Sequence, residues 1–597
     1  MVTSRILRRF VVPALLLGTA GCSLLLSVAS PDQCKTDADC EASPALRTLV
    51  CKEGICTKRE TSSVPVAVDG GAPCTSTDIC STQNSGNPVV CRSPKCVALT
   101  NPACNKVIGE WKDPNALFVG VMGLLTTRQL DRSVVPSAAG KEIFQSIELA
   151  YEEVTSSLAA GILPGTGRPL VLVECDTAND YRRQAKEDFA HLVDVVGVKT
   201  VIVASDADVA AIAPEAAAKN VAIVCASCIG APLAGEPSSL VWRVLSPLAD
   251  QARLTAFLVG MTEKGIHQTT PGSTLRVAML QQEAVQAQDY VDALLSTGSR
   301  PESELKFNGM SYAAQNANFH LTKTPDPTRG FVDHAAVAQE IVDFHPDIIL
   351  VAVSDDFQKF YVPLIESQWT ATWGTTYPKP YYLATTFSFT PGLYYSLIHG
   401  GGKNNVDLER RIIGTNYKYD EKAPLNAAFA AHYQAKWGNA PDFAGGAGYD
   451  AMWATTYALL VANRLAFETR STSAFDGAQV SLGFQKLVSG PLISVGRDDF
   501  PTGSDRVNAN QSINLEGVKS NFDWDLTTHT IHAPLATHCL RGPANAFVVD
   551  SNAGPTCPAD PKQPCTEGAG GDAGAGDAGT SDAGGDAGVP GRWALCP

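Results

Sequence analysis

The sequence has little positive charge. It contains 46 Lys and Arg against 61 Asp and Glu, which leaves a formal net charge of −15 over 597 residues. Nucleic-acid binding depends on clustered Lys and Arg that neutralise phosphates, so we predict no nucleic-acid partner. After the N-terminus, the sequence also lacks an apolar run long enough to cross a bilayer.

The sequence signatures of common enzymes are missing as well. The chain contains no H-E-x-x-H, G-x-S-x-G or G-x-x-x-x-G-K-[ST] pattern. Its 10 histidines are scattered without the spacing of metal ligands. We therefore predict that the protein is not an enzyme and that it holds neither a metal ion nor another cofactor.

The N-terminus has the pattern of an export signal over residues 1–22. Three arginines within the first nine residues precede the apolar run Phe10–Leu17. The following Thr19-Ala-Gly-Cys22 resembles the lipobox of bacterial lipoproteins, with Thr where those proteins usually have Leu. This resemblance implies an exported protein, in the periplasm or on the cell surface, that is anchored to a membrane by lipid on Cys22. The alternative is ordinary cleavage near Ser30, which leaves a secreted protein without an anchor.

Cysteines are abundant and form an internal repeat. The chain has 17 of them, and removing Cys22 leaves an even number, as expected for disulfides in an oxidising compartment. Two sets share spacings of 6, 11 and 5 residues, offset by 40: Cys34, Cys40, Cys51, Cys56 and Cys74, Cys80, Cys91, Cys96. We predict that each set closes on itself by disulfides and that residues 23–110 form a cysteine-rich double repeat that serves as a stalk or as a small interaction module. Zinc is the weaker alternative, because paired C-x2-C ligands are missing.

The C-terminal region, residues 536–597, is predicted to be a cysteine-containing tail of low complexity. Its stretch "GAGGDAGAGDAGTSDAGGDAG" has no apolar residue larger than Ala. Such a composition cannot bury enough apolar surface to fold, so we predict a disordered segment. A calcium-binding β-roll is disfavoured because each of its turns needs a large apolar residue.

The main body alternates between strands and helices. Apolar runs such as "PLVLV", "TVIVAS" and "VAIVCAS" are separated by helical patterns, and a second block begins at "TLRVAML" and continues through "DIILVAVS" and "YYLATT". This alternation predicts parallel sheets covered by helices on both faces. Two successive blocks predict two similar lobes, so the fold class is α/β.

Four stretches carry a family resemblance: "GRPLVLVECDTAND", "AIAPEAAAKNVAIVCAS", "WRVLSPLADQA" and "GYDAMWATTYALL". In this order and spacing they resemble type I periplasmic solute-binding proteins of the leucine/isoleucine/valine-binding group. The resemblance implies a two-lobe clamp of two Rossmann-like parallel sheets that closes on a ligand. It divides the body into lobe 1 over 111–246, lobe 2 over 247–417, a return to lobe 1 over 418–497 and a return to lobe 2 over 498–535.

The resemblance also implies which residues meet the ligand in the cleft. These residues are Ser205, Asp206, Ser227, Cys228, Ser354, Asp355 and Thr386. Asp206 stands where the family binds a carboxylate, which it would repel. Thr386 stands where the family has an acidic partner for the ligand's ammonium, and Ile229 replaces a Thr hydroxyl. We therefore predict a small polar solute other than a free α-amino acid.

Several of these residues also have structural interpretations. Ser205 and Asp206 suit a helix N-terminus, as does Asp355, while Ser227 suits a turn and Thr386 a strand. The C-x-x-C pair Cys225 and Cys228 suits a structural disulfide, although pairing with Cys175 and a thiol oxidoreductase site are alternatives.

Two main functions remain open at this point. The first is a monomeric binding protein that delivers its small-molecule ligand to an ABC permease. The second is a ligand-sensing or surface interaction lipoprotein that uses the same clamp without transport. The long cysteine-rich segment is more typical of the second.

Overall fold

A computed structural model of the protein describes most of the main body. The described residues are 49–52, 55–58, 74–83, 87–92, 94–128, 134–156, 162–163, 166–178, 183–232, 240–296, 302–326, 332–388, 391–400, 405–418, 423–441, 443–470, 474–519, 521–541, 548–550, 554–560 and 562–567. The predicted signal peptide, Cys22, Cys34, Cys40 and the Gly/Ala/Asp tail lie outside them. Among the described helices, none has the length and apolar character needed to cross a membrane. The chain divides into two compact units, Met1–Asp69 and Gly70–Pro597.

The first unit contains a hairpin of β1 (Leu49–Lys52) and β2 (Ile55–Lys58). The two strands are antiparallel, and Cys51 lies directly opposite Cys56. This places the last two cysteines of the first repeat at facing positions of one hairpin.

The second cysteine repeat opens the second unit. It comprises α1 (Thr77–Gln83) and a hairpin of β3 (Val89–Arg92) and β4 (Lys95–Ala98), in which Cys91 lies opposite Cys96. Two disulfides, Cys74–Cys91 and Cys80–Cys96, close the repeat on itself. The three sulfurs of Cys74, Cys80 and Cys96 lie close enough together for a metal site, but all three cysteines are disulfide-bonded.

This repeat belongs to lobe 1 instead of forming a free stalk. Val90 and Leu99 are buried in the same apolar cluster as Val173 in the first large sheet. Arg92 donates a hydrogen bond to the carbonyl of Val196, and Cys104 forms a disulfide with Cys175. The apolar side chains of this segment are therefore covered by the lobe, which explains how a short segment remains folded.

Lobe 1 is built on a seven-stranded sheet in the order β13-β12-β11-β6-β10-β5, with β9 paired to β10. Neighbours from β13 to β10 are parallel, and β5 adds an antiparallel edge. Its strands are β5 (Lys106–Ile108), β6 (Leu117–Gly123), β9 (Ile162–Leu163), β10 (Arg168–Asp176), β11 (Thr200–Val203), β12 (Ala222–Cys225) and β13 (Val241–Arg243), and a separate hairpin pairs β7 (Thr126–Arg128) with β8 (Val134–Pro136).

The helices of lobe 1 lie before and after the segment that forms lobe 2. The first set is α2 (Ala138–Ser156), α3 (Arg183–Ala190, continued by a π-helical stretch at His191–Val196) and α4 (Asp206–Lys219).

Lobe 2 is built on an eight-stranded sheet in the order β17-β14-β18-β19-β20-β25-β26, with β27 paired to β25. The strands from β17 to β20 are parallel, and β25 is antiparallel to β20.

The elements of lobe 2 are α5 (Gln251–Thr269), β14 (Val277–Gln282), α6 (Val285–Leu294), β15 (Lys306–Phe307), β16 (Met310–Ser311), β17 (Phe319–Thr324), α7 (His334–Phe344), β18 (Ile348–Ala352), α8 (Val362–Trp373, after a π-helical stretch at Phe357–Tyr361), β19 (Tyr381–Ala384), α9 (Pro391–His399), α10 (Val406–Arg411) and β20 (Ile412–Tyr417). Short 3-10 helices occur at Leu248–Asp250, Tyr312–Ala314 and Thr386–Ser388.

The chain then returns to lobe 1. The returning elements are α11 (Pro424–Trp437), α12 (Phe443–Arg470), α13 (Gly477–Gln485), β21 (Leu492–Ser494), α14 (Phe500–Asn508), β22 (Asn514–Glu516), β23 (Trp524–Asp525) and β24 (Thr530–Ile531). The last strands, β25 (Leu535–Arg541), β26 (Val548–Asp550) and β27 (Thr556–Cys557), complete the sheet of lobe 2.

The final crossing into lobe 2 comes later than predicted. The family resemblance predicts that residues 498–535 belong to lobe 2, but Phe500 and Ile531 are buried in the core of lobe 1. The ring of Phe500 packs against Trp453 of α12 at 5.3 Å between ring centroids. Ala533 packs against the core of lobe 2, and Leu535 is buried within it. Residues 535–541, mostly assigned to the tail, therefore form a strand.

Candidate functional site

The predicted site residues of lobe 1 follow β11 and β12 at the carboxyl ends of the sheet. In open α/β sheets, ligands bind at these ends. Ser205 is the N-cap of α4: its hydroxyl accepts a hydrogen bond from the Asp208 N–H at 3.3 Å and donates to the Asp208 carboxylate at 2.7 Å. These bonds satisfy the helix terminus, so the capping interpretation accounts for Ser205.

Asp206, the first residue of α4, is buried. Its Oδ2 accepts hydrogen bonds from the N–H groups of Ile229, at 3.0 Å, and Gly230, at 2.9 Å. Burial raises the pKa of Asp206 to about 6, while these two N–H groups and Arg243 act in the opposite direction. A side chain at position 230 would place its Cβ 3.0 Å from the Asp206 carboxylate, so glycine permits this close approach.

The loop after β12, residues 226–232, follows a strand of lobe 1 and contacts lobe 2, so it is called here the interlobe loop. It begins beside a disulfide between Cys225 and Cys228, both fully buried. The Ala231 N–H donates to the carboxylate of Asp289 in α6 at 2.8 Å, and the Ile229 carbonyl accepts from the Leu248 N–H at 2.5 Å. Ser227 lies within this loop. Asp206 of lobe 1 and Asp289 of lobe 2 therefore hold the same loop from opposite sides.

The predicted residues of lobe 2 after β18 lie nearer the surface. The Ser354 N–H donates to the side-chain carbonyl of Gln282, at the end of β14, at 2.9 Å. Asp355 forms an ion pair with Lys359 one helical turn later. The Asp355 side chain is 42% exposed, so this ion pair contributes little to stability.

Thr386 is held in a buried network of polar side chains. Its hydroxyl donates to the Asn416 side chain at 2.8 Å, and its N–H donates to the Gln251 side chain at 3.1 Å. Gln251 also accepts from the Thr415 hydroxyl at 3.1 Å. Because Gln251 begins α5, immediately after the first connection between the lobes, this network fixes the start of lobe 2 against β19 and β20.

An open pocket of about 420 Å³ lies at the carboxyl ends of β14 and β17. It is lined by Glu283, Ala284, Val285, Gln288, Asp289 and Lys323. We call it the cleft pocket, because Asp289 also contacts the interlobe loop. The sequence analysis did not single out the four polar residues of this lining. Lys323 was missed because "FHLTKT", now β17, has no continuous apolar run.

Comparison with known proteins gives the family. The profile of the periplasmic binding proteins matches residues 130–486, so the chain belongs to this family of solute-binding proteins, which are not enzymes. The predicted type I fold is confirmed by the same match and by a solved structure with a TM-score of 0.50. The family implies an extracytoplasmic protein that binds small ligands. No curated protein matches the chain.

Solved structures with the same fold include an ABC-transporter solute-binding protein of Rhodopseudomonas palustris HaA2 in complex with p-hydroxybenzoic acid. It is 14% identical, with a TM-score of 0.50, over 73% of this chain and 96% of that one. The leucine-binding protein LivK of Thermotoga maritima is 17% identical over 74% of this chain and 99% of its own, with a TM-score of 0.49. LivJ of Streptococcus pneumoniae, in complex with isoleucine, is 13% identical over 73% and 99%, with a TM-score of 0.47.

Proposed function

We propose that the protein clamps a small polar organic solute between its two lobes and delivers it to an ABC-type importer. The observation that carries this proposal is the cleft pocket beside the interlobe loop. A ligand there would contact α6, and Asp289 of that helix already reaches the opposite lobe. Closing the lobes over the pocket would remove the ligand from water, as ligand sites in two-lobed proteins require.

The lining of the cleft pocket indicates the chemistry of the solute. Glu283 and Asp289 supply acceptors, Lys323 supplies donors, and the Gln288 amide supplies both. A solute with several hydroxyl, amide or carboxyl groups therefore fits better than an aliphatic one. The internal hydrogen bonds of Asp206 and Thr386 leave these two residues less suited to ligand contact than their strand-end positions suggest.

We also propose that leucine, isoleucine and valine bind weakly. A buried ammonium without an acidic partner, or a buried carboxylate without donors, costs several kcal/mol. Thr386 is not acidic, and Asp206 would repel a carboxylate. The bound isoleucine and p-hydroxybenzoic acid of the similar structures define the two ligand classes to compare.

A thermal-shift and calorimetry screen tests the proposal. The compounds are amino acids, polyols, amides and hydroxybenzoates, added to the oxidised full-length protein. A ligand at a hundredfold excess over its dissociation constant should stabilise the fold by about 2.7 kcal/mol. Lys323→Ala and Gln288→Ala should weaken this response, whereas Lys199→Ala, on the surface before β11, is the matched control.

Two outcomes would contradict this function. A strong response to leucine that Thr386→Ala abolishes would show that the cleft recognises amino acids after all. The lack of a response to any compound would favour the alternative, a sensing or surface interaction protein that uses the clamp for protein contacts.

The proposed anchor is lipid on Cys22, with the protein exported as a monomer to the periplasm or cell surface.

A further inference from the structure

Three consecutive backbone N–H groups of the interlobe loop donate hydrogen bonds to carboxylates. Those of Ile229 and Gly230 donate to Asp206 of lobe 1, at 3.0 and 2.9 Å. That of Ala231 donates to Asp289 of lobe 2, at 2.8 Å. The loop therefore bridges two acidic side chains that belong to different lobes. Moving the lobes apart at this point must break one of these two sets of hydrogen bonds.

The interlobe loop also covers the Asp206 carboxylate. Asp206 is only 9% exposed, and a Cβ on Gly230 would lie 3.0 Å from one of its carboxylate oxygens. The carbonyl of Ile229 accepts a hydrogen bond from the N–H of Leu248, a residue buried in the core of lobe 2. Displacing the loop from its place between the lobes would therefore admit water to Asp206.

The charged and titratable groups that act on Asp206 come from several elements. Within the described part of the chain they are Asp208 of α4 itself, Arg243 of β13, Asp289 of α6 and Tyr417 of β20. Burial holds the pKa of the Tyr417 phenol well above its ordinary value, so this group stays neutral. The guanidinium of Arg243 favours the ionised form of Asp206, whereas the other two carboxylates repel it.

We propose that the interlobe loop is an acid-sensitive latch, which holds the two lobes together more firmly once Asp206 has taken up a proton. A protonated carboxyl keeps its carbonyl oxygen as an acceptor for the N–H groups of Ile229 and Gly230. It no longer repels Asp289 across the loop, and it no longer carries a buried charge. The consequence for a clamped solute, slower release in acid, rests on the function proposed above, but the latch itself does not.

The titration of Asp206 sets the pH range of the latch. Burial raises its pKa to about 6 from an ordinary value of 3.8. A carboxylate that water reaches regains the ordinary value, so the latched state binds the proton more tightly than the open state. A falling pH therefore favours the latched state, by about tenfold between pH 7 and pH 5.

Hydrogen exchange measured by mass spectrometry on the full-length oxidised protein, without any added solute, tests the latch. After correction for the intrinsic exchange rate at each pH, peptides covering residues 226–232 should be about tenfold more protected at pH 5 than at pH 7. Asp206→Asn keeps an acceptor oxygen but cannot bind the proton, so its protection should be the same at both pH values. Asp498→Asn, the same change at a side chain that is 97% exposed, is the control and should behave as the parent protein does.

Two results would overturn the proposal. The first is equal protection of residues 226–232 at both pH values in the parent protein, a result that needs no variant to fold. The second is an increase in acid that persists in Asp206→Asn. Asp208 remains in that variant, and burial raises its pKa to about 6 as well, so a persistent increase would not belong to Asp206. Neither result depends on whether the cleft solute has been found.

Discussion

Asp206 is a buried carboxylate whose hydrogen-bond partners are backbone N–H groups of the interlobe loop. Without it, the N–H groups of Ile229 and Gly230 would lose their acceptor inside the protein. A buried donor without a partner costs about 1–3 kcal/mol. The residue therefore supports the shape of the loop on which both lobes meet, whatever the cleft binds.

The raised pKa of Asp206 gives a prediction at the scale of one residue. The pKa is about 6 in the folded chain against an ordinary value of 3.8. Between pH 4 and 6, the folded state holds a proton that the unfolded state has released, so the free energy of unfolding falls as the pH rises. Asparagine cannot ionise, so Asp206→Asn should lack this contribution to the pH dependence. The contribution amounts to a change in the free energy of unfolding on the order of 2–3 kcal/mol.

Urea unfolding of both proteins at pH 4 and pH 7 measures this difference. Asp355→Asn, the same change at an exposed position, is the control and should follow the parent protein. Burial also raises the pKa of Glu174 and Asp188, each to about 7. Because both residues remain in Asp206→Asn, the free energy of unfolding of this variant should still depend on pH, but less than that of the parent protein. Identical slopes for the parent and Asp206→Asn would contradict the assignment.

At the scale of elements, the packing of α12 on α2 depends on a glycine. A Cβ at Gly448 would lie 2.5 Å from the carbonyl oxygen of Ile143, which is backbone and cannot turn aside. Gly260, in α5, has no atom within 4 Å of its Cβ position. Both glycines lie inside helices, so replacing either by alanine raises helix propensity to a similar extent. A difference in stability between the two variants therefore reports the effect of packing.

Gly448→Ala should destabilise the protein by about 1–3 kcal/mol, because the two helices must separate. Gly260→Ala should stabilise it by about 0.5–1 kcal/mol, because alanine favours the helix and meets no obstacle. Denaturant unfolding of the two variants beside the parent measures both effects. A stabilising Gly448→Ala would mean that α12 and α2 are farther apart than described.

Local patterns predicted most elements of the two sheets. The runs "TVIVAS" and "VAIVCAS" became β11 and β12, because strands buried on both faces are continuously apolar. The pattern failed for β17, an edge strand whose residues are largely polar. It also placed residues 498–531 in the wrong lobe, since membership of a lobe depends on packing against distant residues such as Trp453.

The site was harder to predict than the fold for a related reason. The sequence places Asp206 and Thr386 at strand ends, where ligands bind. It does not reveal that the N–H of Gly230, 24 residues away in the sequence, donates a hydrogen bond to the carboxylate of Asp206. Nor does it reveal that Gln251 and Asn416 surround Thr386. A polar side chain at a strand end is available to a ligand only if its neighbours leave it free.

At the scale of the whole molecule, the 17 cysteines can be assigned together. Ten form the five disulfides Cys74–Cys91, Cys80–Cys96, Cys104–Cys175, Cys225–Cys228 and Cys557–Cys565. Cys539 is disulfide-bonded as well. Because the two repeats share their spacing and hairpin register, we expect Cys34–Cys51 and Cys40–Cys56. Cys596 is then the expected disulfide partner of Cys539, and Cys22 is the expected site of lipid attachment.

Peptide mapping of the membrane-extracted protein without reduction tests the whole assignment. It should find no free thiol and a lipidated N-terminal Cys22, with Cys22→Ser releasing the protein from the membrane fraction. Bridges between the two repeats, or zinc at stoichiometric amounts, would contradict the repeat assignment. A mature chain that starts near Pro31 would contradict the lipid anchor.

The interrupted construction of lobe 1 has a consequence for the order of folding. Its core joins Leu117 to Ile531, so it stays incomplete until nearly the whole chain has left the ribosome. During that time, the sheet's early strands are open to pairing with other chains. Cys104 and Cys175 emerge early, and β5 can cover the edge of β10 at once. We therefore expect β5, held by the Cys104–Cys175 disulfide once the chain is exported, to protect this edge of the sheet from pairing with other chains before the returning helices complete the core.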